Sequence, residues 1–251
     1  MRFKGESVVI TGGSGELGGR IAARLMAEGA DVTVLDRQAP AQAGVGFVAC
    51  DLSTPDGAEA AAAELAKLPC DRLIHLAGIQ YFGPAEAESP QQLERTLNIN
   101  LLAPMRLSQA VVPAMRKRRR GQIAFVGSIF GSINFAHFAS YSSSKAGLRA
   151  YSQALRRELA GTGVDITYVA PRAVKTGFNS AKVLQFAALT KMAMDDPDRV
   201  AGRIVDAVAA RRGDVYLGFP EALFVRVNAI APRLVDRALA SSDRRVAALF
   251  D

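Results

Sequence analysis

Tryptophan is absent from this 251-residue chain, cysteine and histidine occur twice each, and no apolar run reaches the length of a bilayer span. Each scarcity removes a class of protein. Cys50 and Cys70 stand apart, near strand edges and at no metal-ligand spacing, so neither a disulfide framework nor a metal site is expected. Two buried, reduced thiols suit the cytoplasm. The apolar stretch after Phe219 is interrupted by Arg226, Asn228 and Arg233, which argues against a spanning helix. A signal peptide has no room, because Met1-Arg2-Phe3-Lys4-Gly5 runs straight into an apolar strand at Ser7. Acidic residues are outnumbered, 24 against 31 Lys and Arg, for a net charge of +7. Much of the excess is Arg116-Lys117-Arg118-Arg119-Arg120, at the end of a helical stretch where cations complement the helix dipole. No aromatic stacking array or nucleic-acid motif accompanies the run, so it reads as a solvated helix terminus and no nucleic-acid partner is expected. Anionic cofactors or substrates are still attracted.

What is present is an alternation. Strands are expected at Ser7–Thr11, Asp31–Leu35, Phe47–Cys50, Arg72–Leu76, Gln122–Val126, Asp165–Val169 and Val215–Leu217. Several are continuous apolar runs, as for strands covered on both faces. Helices are expected at Leu17–Glu28, Asp56–Lys67, Gln91–Lys117, Tyr141–Ala160 and Asp198–Arg211. This order predicts an α/β fold, a doubly wound parallel sheet with helices on both faces. There is no internal repeat and no second domain, and a C-terminal helical segment of about 220–245 follows Pro220.

Two stretches carry chemistry. The first strand leads into Gly12-Gly13-Ser14-Gly15-Glu16-Leu17-Gly18 and then a helix, a turn that lets main-chain amides approach a pyrophosphate. The second strand ends at Asp36, whose carboxylate can accept from ribose hydroxyls and repel a 2′-phosphate, favouring NAD over NADP. Arg37 beside it can receive that phosphate, so NADP stays open. Asp51 can meet the adenine edge or cap its own turn. In the second stretch, Tyr141 and Lys145 are four apart on one helical face, and Ser128 closes a strand thirteen residues before the tyrosine. A phenol titrates near ~10, so it exchanges protons at neutral pH only when a neighbour such as an ammonium stabilises its anion.

The Thr11–Gly18 turn, Asp36, Asp51-Leu52, Ala77-Gly78, Asn100, Ser128, Tyr141, Lys145 and Pro171–Thr176 together resemble the short-chain dehydrogenase/reductase family, from about Gly5 to Thr176 plus the strand near Tyr216. The resemblance implies a single Rossmann-like domain over residues 1–251 and hydride exchange between a nicotinamide and a carbonyl or alcohol carbon. It assigns the cofactor to Gly12, Ser14, Gly15, Glu16, Leu17, Gly18, Asp36, Arg37, Asp51, Leu52, Ala77, Gly78, Pro171, Val174 and Thr176, with Tyr141 and Lys145. Tyr141 is the implied general acid/base, and Ser128 the group that polarises the substrate oxygen. Lys145 is implied to bind the nicotinamide ribose and lower the tyrosine pKa, Asn100 to hold a water relaying protons through Lys145, and Thr176 to contact the nicotinamide amide.

The chain departs from the usual pattern in two places. Glu16 stands where short members of the family commonly carry glycine, and Arg172 replaces the usual glycine after Pro171. Arg172 is read three ways: altering cofactor affinity, meeting an anionic substrate, or packing outward. The Gly12–Gly15–Gly18 spacing and His75-Leu76-Ala77 look more like a longer, sugar-nucleotide-modifying branch. The length, the gap from Ser128 to Tyr141 and the Asn100 motif favour the short oxidoreductase type.

Phe130, Phe135, His137 and Phe138 crowd the approach to Tyr141, and Phe178 and Phe186 follow Thr176. By resemblance these regions line the substrate pocket, the second as a lid over about 177–196. Such a pocket suits a hydrophobic ketone or secondary alcohol. Some of these rings are expected to fill the core, His137 reads as a loop residue with assistance to the substrate as its alternative, and His75 as a local hydrogen-bonding group. Ser142, Ala146, Ala150 and Ala154 give the Tyr141 helix a small-residue face, and the resemblance implies a homodimer or homotetramer built through it and the Gln91–Lys117 helix. Near the C-terminus, Arg226, Arg233 and Arg237 are expected on one helical face opposite Leu223, Val227, Leu234 and Ala238, with Pro232 dividing the segment. That stretch suits an anionic membrane surface, a cover for a lipid-like substrate, or packing against the domain or a neighbouring subunit. The reading is an NAD(H)-dependent oxidoreductase. Its alternatives are an NADPH ketoreductase of lipid or polyketide-like biosynthesis, and a nucleotide-sensing regulator without catalysis.

Overall fold

The computed structural model describes residues 1–250. Seven strands, β1 (Ser7–Thr11), β2 (Asp31–Asp36), β3 (Gly46–Ala49), β4 (Arg72–His75), β5 (Gly121–Val126), β6 (Val164–Ala170) and β7 (Asp214–Tyr216), form one parallel sheet in the order β3-β2-β1-β4-β5-β6-β7. Successive side chains of β1 point to opposite faces. Val8 and Ile10 pack with Ile21 and Leu25 of α1 (Glu16–Ala27) and Val200, Ile204 and Val208 of α7 (Pro197–Ala209). Val9 joins Leu65 of α2 (Pro55–Leu65), Leu107 and Met115 of α4 (Ala103–Lys117), and Leu148 and Leu155 of α5 (Ala139–Glu158). Each of these aliphatic side chains contributes about 1.5–3 kcal/mol by leaving water. β4 and β5 are buried along their whole length, which explains why their sequences show no alternation of polar and apolar residues.

The chain steps outward from β1 to β2 and β3, then returns to β4 on the other side of β1. Loops after β1 and β4 therefore part in opposite directions and leave a crevice at the carboxyl edge of the sheet.

Three elements differ from expectation. The helix expected over Gln91–Lys117 is α3 (Pro90–Leu97), a π-helical turn Asn98–Leu102, then α4. The cause lies in Asn100: its Oδ1 accepts from Ile79 N (2.9 Å) and its Nδ2 donates to Ile79 O (2.8 Å), so the turn widens to meet the loop after β4. Second, residues of the expected lid form a helix, α6 (Ala181–Leu189), started by Ser180 Oγ accepting from Val183 N. Third, α9 (Pro232–Ala247), which follows α8 (Glu221–Ile230) across the division at Pro232, runs past the 245 expected for the end of the C-terminal segment. No helix among the described residues is long and apolar enough to cross a membrane.

Candidate active site

A cleft of about 520 Å³ opens at the crevice. Gly12 has φ +73°, and a Cβ there would lie 2.7 Å from Ala77 Cα. A Cβ on Gly18 would meet Gly12 O at 2.2 Å. Only glycine lets this turn press against both the loop after β4 and the start of α1. Gly15 is the N-cap of α1 and makes no side-chain cap, so the first-turn amides remain open to an anion. Asp36 lines the cleft and steadies the turn: one carboxylate oxygen accepts from Ser14 N (3.1 Å), the other from Arg37 N (2.7 Å). Asp51 lines the cleft and also caps its own turn, accepting from Ser53 N at 2.9 Å, a bond that holds its carboxyl below the usual range. These features fit a dinucleotide: a side-chain-free cradle with uncapped amides for the pyrophosphate, and carboxylates farther along for its hydroxylated, basic end.

Ser128, two residues past the end of β5, caps the short turn Ile129–Gly131, its Oγ accepting from Phe130 N at 3.1 Å. Tyr141 and Lys145 rise from the first turns of α5 and are 7% and 4% exposed. The Lys145 Nζ stands 5.9 Å from the Tyr141 ring centroid and donates to Val126 O at 3.3 Å. Burial pushes the phenol up to about 12, opposed by hydrogen bonding with Ser128, and pushes the ammonium down to about 8. In the protein alone, desolvation is the first cause of both shifts, raising the phenol and lowering the ammonium. Asn100 is fully buried behind this pair and does not line the cleft. Its side chain is committed to Ile79 and, through Nδ2, to Ser144 Oγ at 3.0 Å. Gly78 fills the space between: a Cβ there would stand 3.3 Å from Asn100 Oδ1 and 3.5 Å from Lys145 Nζ.

The third wall is Pro171, Val174, Thr176 and the segment that follows. Arg172 lines this wall too, with its guanidinium held by two carboxylates. It donates to Asp195 (2.9 and 2.8 Å) and to Glu221 (3.2 and 3.0 Å), tying the end of β6 to the far end of the lid segment and to α8. Glu16 is also occupied: its carboxylate accepts from Gly177 N at 3.1 Å and pairs with Arg20 at 3.6 Å, bridging the two rims of the cleft.

Phe130, Phe138 and Phe186 line the cleft near Tyr141, and Phe178, 44% exposed, stands over it at 6.4 Å between rings. Phe135 is in the aromatic cluster behind and does not line the cleft, nor does His137, which sits in a left-handed loop position (φ +65°) against Phe250. His75, the last residue of β4, is buried with Nε2 3.1 Å from Ser108 Oγ. Cleft residues that sequence reasoning did not single out include Gln38, Gln80 and, within the expected lid of about 177–196, Met192 and Met194. Gln80 Nε2 donates to Phe178 O at 3.0 Å, a contact between residues far apart in the chain that leaves no local pattern. The methionines follow α6, so an N-cap reading of Ser180 was the available signal.

A family model described as short chain dehydrogenase matches residues 6–185. Dehydrogenase/reductase SDR family member 7B of Rattus norvegicus is 30% identical over 95% of this chain and 81% of its own. The 3-oxoacyl-[acyl-carrier-protein] reductase MabA of Mycobacterium tuberculosis is 32% identical over 71% of this chain and 73% of its own. Among solved structures, a short chain dehydrogenase from Burkholderia cenocepacia in complex with NADP superposes with a TM-score of 0.80 at 22% identity, over 95% of this chain and 99% of its own.

Proposed function

This chain belongs to the short-chain dehydrogenase family, and from that premise we propose that it exchanges a hydride between NAD(H) and a hydrophobic ketone or secondary alcohol. The observation that carries the reading is the meeting of the glycine cradle with Ser128, Tyr141 and Lys145 around one cleft walled by phenylalanines. A nicotinamide dinucleotide along that cleft supplies the hydride. In the reducing direction Tyr141 gives its phenolic proton to the carbonyl oxygen, which Ser128 Oγ orients by hydrogen bonding. Lys145, whose Nζ donates to Val126 O and keeps further donors free, would with Thr176 hold the nicotinamide end of the dinucleotide. Because the Asn100 side chain is already committed, its part in a proton relay falls to its main chain and to the widened turn it creates. Residues 177–196 close the substrate side, and the phenyl walls exclude water while the proton moves.

The carboxylate of Asp36 at the adenosine end supports NAD(H). The second reading, an NADPH-dependent ketoreductase, is favoured by Arg37, which lines the same cleft, and by the 3-oxoacyl reductase relative. The two exposed helix positions Ala150 and Ala154 support a subunit contact through α5 and α4. Burial raises the Cys50 thiol to about 11 and Cys70 to about 12; such inert thiols suit the cytoplasm.

The test follows reduced-nicotinamide absorbance with a panel of apolar ketones and alcohols, offering NAD(H) and NADP(H) separately. NAD(H) turnover that falls about 10²–10⁴-fold in Tyr141→Phe is the expected result. Undiminished turnover by Tyr141→Phe would overturn the mechanism. Preference for NADPH would move the assignment to the second reading.

A further inference from the structure

The C-terminal helices expose an apolar strip. Phe219 is 78% exposed, Leu223 49%, Phe224 46%, Ile230 86% and Leu234 57%. Packing against the domain was one expectation for this segment, yet only Val225 of α8 and Val235 and Val246 of α9 are buried. At about 100° per residue, Leu223 and Ile230 share a flank of α8 with Arg226, while Leu234 shares a flank of α9 with Arg237 and, farther round, Arg233. The arginines therefore border the apolar strip, where the sequence reading had set them opposite it. Glu221, the acid that opens α8, is taken by Arg172. Among the described residues, Arg226, Arg233 and Arg237 make no ion pair.

We propose that this face docks on an anionic lipid bilayer, with Phe219, Leu223, Ile230 and Leu234 entering the acyl boundary and the three arginines meeting lipid phosphates. Large apolar side chains bordered by free guanidiniums match the two layers of such a surface, hydrocarbon below and negative headgroups above. A second copy of the chain matches it less well. An isologous contact sets a patch against itself, bringing unpaired arginines together with only Asp236 and Asp243 on these helices for relief. The strip also adjoins the cleft: Arg172, a cleft residue, donates to Phe219 O and Glu221 at its start. A bound bilayer would lie beside the opening through which an apolar substrate enters. The docking stands or falls independently of the redox assignment.

Co-sedimentation of the full chain with vesicles tests it, using phosphatidylcholine alone and phosphatidylcholine mixed equally with phosphatidylglycerol. Wild type is expected to bind the mixed vesicles at least about tenfold more tightly, and to release as salt is raised. Replacing all three arginines (Arg226→Gln, Arg233→Gln, Arg237→Gln) should weaken binding on the order of a hundredfold. The pair Ile230→Ser and Leu234→Ser should weaken it more than about tenfold. These residues are exposed, so both variants should keep the wild-type circular dichroism and melting temperature. Equal affinity for the two vesicles, or indifference to salt, would overturn the proposal with the wild-type protein alone. So would a concentration-dependent dimer that Ile230→Ser/Leu234→Ser breaks apart while no vesicle binds, which would mark the strip as a subunit interface.

Discussion

At about 12 the Tyr141 hydroxyl keeps its proton through the whole working range, while Lys145, at about 8, is the group that titrates. On the proposed mechanism carbonyl reduction needs the phenol as an acid, and that form is always present. What rising pH removes is the lysine's charge, and with it the charged hold on a ribose that the proposal gives it. The kcat/KM for reduction is therefore expected to fall above a pH of about 8, approaching tenfold per unit. Lys145→Arg, which stays charged, should move that limb out of range; a wild-type profile flat to a pH of about 10 contradicts the argument. His75 gives an opposite case away from the chemistry. Burial drops it from 6.5 to about 3, so below 6.5 the unfolded chain binds a proton that the folded one refuses. Its contribution is complete above 6.5 and lost as pH falls toward 3, at up to about 1.4 kcal/mol per pH unit. Denaturant titrations across that window should show the slope, and His75→Gln should flatten it.

Arg172 shows how three elements become one unit. Its side chain and those of Asp195 and Glu221 are 14–15% exposed, so the guanidinium bridges β6, the segment before α7 and the start of α8 in a largely desolvated spot. Arg172→Met should cost about 2–3 kcal/mol, because it leaves two carboxylates nearly buried without a partner. The expected reading is a fall in melting temperature of about 5–10 °C. Adding Asp195→Asn and Glu221→Gln should recover part of it. This bridge was illegible in the sequence, since nothing local links positions 172, 195 and 221. The interrupted helix at Asn100 was hidden for the same reason: its partner is Ile79, across the sheet edge. The strands were legible because β4 and β5 are buried on both faces and so carry few polar residues to break the run: the paired Arg72 and Gln122, and His75. Helix α6 escaped because its buried residues, Val183, Phe186 and Ala187, are too few to show a period.

Across the whole molecule, the cofactor question reduces to which dinucleotide the folded state prefers. The Gly12–Gly18 turn was legible because its glycines are demanded by contacts within a few residues and with Ala77, whereas the adenosine end depends on how Asp36 and Arg37 divide their interactions. In the structure both Asp36 oxygens accept from main-chain amides, which keeps the carboxylate in place facing any ribose that arrives. A 2′-phosphate would meet that fixed charge first, and Arg37 is more exposed and freer to turn aside. A ligand at a hundred times its Kd stabilises the native state by about 2.7 kcal/mol, which for a chain of this size raises the melting temperature by about 5–10 °C. NADH in excess is expected to give that shift and NADPH, at equal concentration, less than half of it. Asp36→Ser should shrink the NADH shift and enlarge the NADPH one, while Arg37→Ser should diminish only the NADPH response. If NADPH gives the larger shift in the wild type and Arg37→Ser abolishes it, Arg37 governs the adenosine end, and the phosphate-bearing cofactor is the native one.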